Sequence, residues 1–238
     1  METPDLVAAA VIVAAGRGTR FGKAPKLFAR LDDRPVLTYA LEAAQQATQV
    51  SSIVLVVNEQ QRDHVVALTR SLDLPKLHAI VLGGERRQDS VEAGIAAVPA
   101  ETTVVAIHDA ARPLVSPWLF DRCISEAATS GAAIAAIPVV DTLKLVEDGT
   151  IVRTVPREGL WAAQTPQSFA LDRLREAFAH ANAQGIEVTD EASLFEALGW
   201  PVTVVQGSRD NLKITMPEDL PIAEAIIRSR RGTPGAWP

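Results

Sequence analysis

One cysteine is all that 238 residues contain. Cys123 has no partner for an internal disulfide. It sits in a helical stretch with Trp118 and Leu119, so a buried structural thiol is its expected role and a reducing compartment is compatible. An excess of positive charge is also missing: 23 Lys and Arg face 29 Asp and Glu, for a net charge of −6. That argues against nucleic acid or an anionic membrane as a general partner and leaves anionic small molecules bound at local basic sites. No apolar run is long enough to cross a bilayer. Leu6 to Ala15 is too short, and Glu2 and Asp5 stand where a signal peptide carries positive charge, so a cytoplasmic location is expected. Repeats, low-complexity tracts and linkers are absent too. With 47% hydrophobic residues, residues 1–238 are expected to fold as one domain, with a disordered tail from near Arg228, at about 230–238.

What is there is concentrated between Val11 and Phe28. An apolar run that reads as a buried strand passes into a loop holding Gly16, Gly18 and Gly22 together with Arg17, Arg20, Lys23 and Lys26. No acid occurs between Leu6 and Leu31. Glycines let backbone N–H groups close on a ligand, and four cations with no acid in the same stretch of an acidic chain point to a polyanion. Two commoner glycine loops fail on spacing. A dinucleotide fingerprint needs glycine at 21, where Phe21 stands, and Pro25 interrupts the helix that should follow; a Walker A loop needs glycine at 17 and Ser or Thr at 24, where Arg17 and Ala24 stand. The pattern Ala14-Ala15-Gly16-x-Gly18-x-Arg20, with Pro25-Lys26 beyond it, resembles nucleotide-activating pyrophosphorylases.

The rest of the chain alternates. Pro35 opens a helix to about Thr48; Ser52 to Val57 reads as a strand, Gln60 onward as a helix, and Leu77 to Leu82 as a strand. Gly83 to Ser90 leads into a helix ending at Val98, Val104 to Ile107 is the fourth strand, Ser116 and Pro117 cap a helix, and Ala132 to Val139 is the fifth strand. Apolar strands separated by helices indicate a mostly parallel sheet covered on both faces, whose ligands bind beyond the carboxyl ends of the strands. The first glycine loop, Gly84 to Ser90 and Asp109 all fall at such ends. From Asp141 the period becomes two: Thr142 to Val146 and Ile151 to Val155, joined by a turn at 147–150, read as a hairpin that has to pack on something, a partner subunit being the expected surface. Leu160 to Phe169, two helical stretches, a strand at Val202 to Val205 and a last helix behind the capping box Thr215 to Glu218 complete it.

These motifs together resemble the 2-C-methyl-D-erythritol 4-phosphate cytidylyltransferase family over nearly the whole chain. Carrying the likeness are the glycine loop with Pro25-Lys26, Gly83-Gly84 through Asp89-Ser90, His108 to Pro113, Asp141 to Lys144, Arg157 to Trp161, Gln164 to Gln167, Thr189 to Ala192, and Asn211 to Thr215 before Pro217 to Leu220. The resemblance implies a Rossmann-like α/β fold of the nucleotide-diphospho-sugar transferase type with a protruding β-arm at about 140–158. It also implies CTP and a polyol phosphate as substrates, a divalent metal, usually Mg²⁺, and a homodimer whose arms cross between subunits. Glu85 departs from the family, standing where a shorter acid is frequent.

By the same resemblance, Arg20 and Lys26 stabilise the transition state and leaving pyrophosphate, while Arg157 and Lys213 position the attacking phosphate. Ala14, Ala15, Gly16, Gly18 and Lys26 cradle the nucleotide from one side, and Gly84, Glu85, Ser90, Asp109, Ala110 and Lys213 from the other. Asp109, Arg112, Thr142, Arg157, Thr165 and Lys213 meet the polyol phosphate. Asp109, a lone carboxylate at a strand end, is the expected contact for Mg²⁺ or for substrate hydroxyls. His108 is expected to be structural, because an already ionised phosphate nucleophile offers it no proton. The alternative is a ribitol 5-phosphate cytidylyltransferase, whose motifs are similar. A guanylyltransferase of molybdenum-cofactor assembly leaves Asp141-Thr142 and Arg157 unexplained, and a nucleotide sensor has no need of both Arg20 and Lys26.

Overall fold

Runs of Ala, Val and Ile have little to offer water, and in the computed structural model, which describes residues 5–16, 21 and 26–232, they become strands buried on both faces. The chain runs β1 (Ala8–Ala14), the short pair β2 (Arg30–Leu31) and β3 (Arg34–Pro35), α1 (Val36–Gln46), β4 (Val50–Val57), α2 (Arg62–Arg70), β5 (Leu77–Leu82), α3 (Arg87–Ala96) and β6 (Val104–Asp109). It continues through α4 (Pro117–Ser130), β7 (Ala132–Pro138), the hairpin β8 (Leu143–Glu147) and β9 (Thr150–Val155), β10 (Trp161–Ala170), α5 (Leu171–Gln184), α6 (Ala192–Ala197), β11 (Thr203–Gln206) and α7 (Asp219–Gly232). Seven strands form one sheet in the order β5-β4-β1-β6-β10-β7-β11, and β10 alone among them runs antiparallel to its neighbours. The expected mostly parallel α/β sheet with a hairpin excursion is what the chain adopts.

Alternation along β1 decides the two layers. Ala8, Ala10 and Ile12 face a core shared with Leu37 and Leu41 of α1 and Phe120, Cys123 and Ile124 of α4. Ala9 and Val11 face another built with Val91 and Ile95 of α3, Leu174 and Phe178 of α5, and Phe195 of α6. Burial pushes the Cys123 thiol up to about 12, as suits an inert core residue. A third, smaller core joins Phe21, Leu31, Leu114, Ile214 and Ile227, which ties α7 to the segments flanking the glycine loop. The sequence β1-α1-β4-α2-β5 builds outward on one side of β1, and the next strand, β6, pairs on its other side. The order therefore reverses between β1 and β6, leaving a crevice at their carboxyl ends.

Several local expectations change. Pro35 precedes α1 with extended backbone instead of opening its first turn. The carboxylate that closes the start of α7 belongs to Asp219, not Glu218: its Oδ2 accepts the Thr215 and Met216 N–H groups at 2.6 and 2.8 Å. Helix α7 continues to Gly232, so the tail expected to be disordered from about 230 is helical for its first residues, and 233–238 lie outside the described residues. Strand β10 has no sequence signature, mixing polar and apolar residues without a period of two and carrying Pro166 where its pairing with β7 is irregular, between Ala163 and Gln167. The arm turns at Asp148 and Gly149, both with positive φ (48° and 76°), the geometry of a two-residue hairpin loop.

Gly94 lets α3 sit close on the sheet: a Cβ there would lie 2.4 Å from Val11 Cγ1 and 2.9 Å from Val56 Cγ2. Gly94→Ala should lower the unfolding free energy by about 1–3 kcal/mol through overpacking, outweighing the ~1 kcal/mol that alanine adds to a helix. Urea denaturation checks it; an unchanged or higher midpoint would mean that the layer yields freely.

Candidate active site

A cleft of about 680 Å³ opens at the carboxyl ends of β1, β5 and β6. One wall is Ala14, Ala15 and Gly16, where β1 ends; a Cβ on Gly16 would meet no atom of the described residues within 4 Å. The next is Gly83 to Ser90. The Ser90 hydroxyl accepts the Gly84 N–H at 3.2 Å and donates to the Arg86 carbonyl at 3.1 Å, folding this segment onto itself. A Cβ on Gly83 would lie 2.5 Å from Ser90 Oγ and 2.6 Å from Ala15 Cβ, so glycine there is what lets the two loops meet. Asn58 to Gln61 forms the opposite lip, with Asn58 Oδ1 accepting the Gln61 N–H.

Asp109, the last residue of β6, stands at the centre of the charge. Its Oδ2 accepts a 2.6 Å bond from Lys213 Nζ and its Oδ1 a 3.3 Å bond from Arg87 Nε. Burial alone would raise this carboxyl, but the Arg87 and Lys213 charges outweigh it and hold it well below the usual carboxylate range. Its backbone is held as firmly. The Arg112 carbonyl can only accept, so His108 Nε2 carries the ring proton and donates to it at 3.1 Å. Nδ1 is then free to accept the Thr165 hydroxyl at 2.9 Å, and the Thr165 oxygen accepts the Asp109 N–H at 3.1 Å. Lys213 is braced from both sides: Asn211 Nδ2 donates to the Thr165 carbonyl at 2.8 Å, and Ile214 N–H to the Ala111 carbonyl at 2.8 Å.

Of the residues expected in the site, Ala14, Ala15, Gly16, Lys26, Gly84, Glu85, Ser90, Asp109 and Lys213 line this one cleft. Gly18 and Arg20 lie outside the described residues. Ala110 is fully buried and Ala111 lines the cleft beside it. Arg112 donates to the Asn211 and Ala163 carbonyls at 2.7 and 3.3 Å, and Thr165 is buried against His108, so both support the site from behind. Thr142 flanks the arm and Arg157 follows it; neither lines the cleft, and Arg157 donates to the Val140 carbonyl.

Two participants were not foreseen. Arg87 pairs with Asp109 and, through Nη1 at 2.6 Å, with Glu191, which is 1% exposed. Its signal was available: a cation in the first turn of a helix faces the positive end of the dipole and needs another reason to be there. Glu191 lies in the Thr189 to Ala192 motif, but its role could not be read there, because burial cannot be told from one acidic residue between Asp190 and Ala192. Among the described residues no group of three or more His, Cys, Asp or Glu comes together as a metal centre.

A doubly covered, mostly parallel sheet with glycine loops and cations around one carboxylate at its strand ends is the construction of a nucleotidyltransferase. The family model of 2-C-methyl-D-erythritol 4-phosphate cytidylyltransferase matches residues 8–229. Among relatives so named, one from Pelotomaculum thermopropionicum is 44% identical over 94% of this chain and 95% of its own, and one from Parasynechococcus marenigrum is 45% identical over 93% and 98%. The crystal structure of 2-C-methyl-D-erythritol 4-phosphate cytidylyltransferase from Thermus thermophilus superposes with a TM-score of 0.76 at 36% identity, covering 94% of this chain and all of that one. That of the 4-diphosphocytidyl-2C-methyl-D-erythritol synthase from Anaerococcus prevotii reaches 0.82 at 28%, covering 94% and 96%. The chain belongs to the 2-C-methyl-D-erythritol 4-phosphate cytidylyltransferase family.

His108 makes the site pH-sensitive in stability. Burial pushes it from its ordinary 6.5 down to about 4, with the Asp109 charge opposing. Between those values the unfolded chain binds the extra proton, so this contribution is complete above pH 6.5 and is lost as pH falls towards 4. Urea unfolding should lose up to about 3 kcal/mol across that window from this group. The advantage of wild type over His108→Gln should shrink in step; parallel pH profiles for the two would refute the assignment.

Proposed function

We propose that the enzyme transfers a cytidylyl group from CTP to 2-C-methyl-D-erythritol 4-phosphate, giving 4-diphosphocytidyl-2-C-methyl-D-erythritol and pyrophosphate in non-mevalonate isoprenoid synthesis. The observation that carries this reading is the gathering of Arg87 and Lys213 about ionised Asp109, in a cleft that Lys26 also lines and that glycine-bearing loops wall. A triphosphate beside a phosphate monoester crowds negative charge, and fixed cations stabilise it most where it is spread furthest, in the transition state. An oxygen of the acceptor phosphate attacks the α-phosphorus in line. A P–O bond forms, the bond to the oxygen bridging to the β-phosphate breaks with its electron pair, and pyrophosphate leaves. The nucleophile is already ionised, so no base is needed, and His108 remains committed to Thr165.

Arg20 and Lys26 act on the leaving pyrophosphate, and Lys213 and Arg157 on the attacking phosphate. Mg²⁺ would be held by Asp109, a buried, ionised hard-oxygen ligand, and bound there it would neutralise phosphate charge. The names of the relatives favour methylerythritol phosphate over ribitol 5-phosphate, and a buried lone thiol suits a cytoplasmic location. No helix among the described residues is long and apolar enough to cross a membrane. A pyrophosphate-release assay tests the reading: kcat/KM with CTP and methylerythritol phosphate should exceed that with ATP, GTP or ribitol 5-phosphate by at least about a hundredfold. Equal or better turnover with any of these overturns it.

The reading includes a homodimer built through the β8–β9 arm. Val146, Ile151 and Val152 on this ribbon are 49%, 60% and 51% exposed, and a lone two-stranded ribbon with apolar side chains gains stability by packing on a second copy. Arg157, just past the arm, then completes the neighbour's site. Co-expressing a Lys213→Ala chain with an Arg157→Ala chain makes about half the dimers mixed, each with one intact site, so roughly a quarter of wild-type activity should return. No recovery, with heterodimers confirmed by mass, would place Arg157 in its own chain's site.

A further inference from the structure

Glu191 is an odd residue to bury. It lies at the start of α6 among core side chains, Ala192, Leu194 and Phe195, and is itself 1% exposed. Its Oε1 accepts the 2.6 Å bond from Arg87 Nη1, while its Oε2 has no hydrogen-bond partner among the described residues. A buried ion pair is a poor way to stabilise a fold, since apolar side chains in place of both Glu191 and Arg87 would leave nothing unsatisfied. What an apolar side chain could not do is hold a guanidinium.

That guanidinium links two carboxylates 82 positions apart in the chain. Nη1 of Arg87 meets Glu191 and Nε meets Asp109, and because the group is planar its donors keep a fixed relation to each other. Anchoring Nη1 therefore sets Nε, Nε sets Oδ1 of Asp109, and Oδ2 is left for Lys213. The turn bearing Glu191 is itself braced: Asp190 Oδ1 accepts the Ser193 N–H and hydroxyl at 3.2 and 2.7 Å, and Oδ2 accepts Gln167 Nε2 of β10 at 2.9 Å. Burial pushes the Glu191 carboxyl up and the Arg87 charge beside it opposes that; with Glu191 ionised, the charges of Glu191, Arg87, Asp109 and Lys213 balance one another. Without Glu191, Arg87 could turn both of its donor edges to Asp109 and displace Lys213, or leave for the ligand's phosphates. We propose that Glu191 is a positioning residue for nucleotidyl transfer, fixing Arg87 so that Asp109 and Lys213 keep their arrangement in the cleft.

The inference rests on the transfer reading above, and its test separates the two. In a double-mutant cycle with CTP and methylerythritol phosphate, Glu191→Gln should lower kcat about tenfold with KM for CTP changed less than about threefold, and Arg87→Gln should lower kcat at least as much. The double variant should match Arg87→Gln within about twofold, because no guanidinium is left to position; loss by the product of the two single effects, or an unaffected Glu191→Gln, overturns the proposal. If Glu191→Gln fails to fold, comparing the double variant, which has no lone buried charge, with Arg87→Gln decides in the same way. A second readout needs no turnover: the ¹⁵N–¹H signal of Arg87 Nε should be resolved and protected from water exchange in wild type and lose protection in Glu191→Gln. An unchanged signal overturns the proposal. Wild type that is inactive with CTP defeats the transfer reading alone, and the spectrum still judges Glu191.

Discussion

The ionised carboxylate of Asp109, held between Lys213 and Arg87, is the interaction on which the site is organised. A site for a polyanion has to bring cations together before the ligand arrives, and bare cations in a part-buried cleft repel one another. One carboxylate at the end of a fully buried strand relieves that repulsion and fixes positions at the same time. It can do so only because the strand cannot shift: β6 is paired with β1 along its length and with β10 on its other edge.

From that constraint follow features that look unrelated along the chain. His108, the preceding residue, is buried on the far side of β6 and stays neutral, so it can pass a hydrogen-bond chain through Thr165 back to the Asp109 backbone. Arg112 and Asn211, both polar and neither a cleft wall, tie the Lys213 segment to β10. The antiparallel β10 is thus more than a strand filling a gap between β6 and β7. It delivers Thr165 and Gln167, the two side chains through which the 108–109 and 190–193 segments are held.

The glycine loops show the complementary use of emptiness. Gly83 is required because Ser90 and Ala15 already occupy the space a side chain would take, whereas Gly16 has none of the described residues within reach of a Cβ. The first closes two loops against each other and the second keeps a wall open. An acidic protein can hold a strongly anionic ligand in this way, since its excess of carboxylates lies elsewhere on the surface and the local field in the cleft is set by a few fixed cations.

The sequence by itself determined the alternation of apolar strands and helices, the position of the crevice at the strand ends, and the hairpin with its Asp148-Gly149 turn. Each of these is local: periodicity, turn chemistry and charge are properties of contiguous residues. Tertiary structure alone decided the rest. Strand β10 exists because the edges of β6 and β7 need a partner, although its own residues, with Pro166 among them, do not ask to be a strand. Asp219 replaced Glu218 at the start of α7 because the turn of the chain, not the motif, aims a carboxylate at Thr215. Arg87 and Glu191 meet across 104 positions. Which of many charged side chains is buried, and against what, depends on which distant segments the fold brings together, and pairing at that range leaves no periodic trace in a single chain.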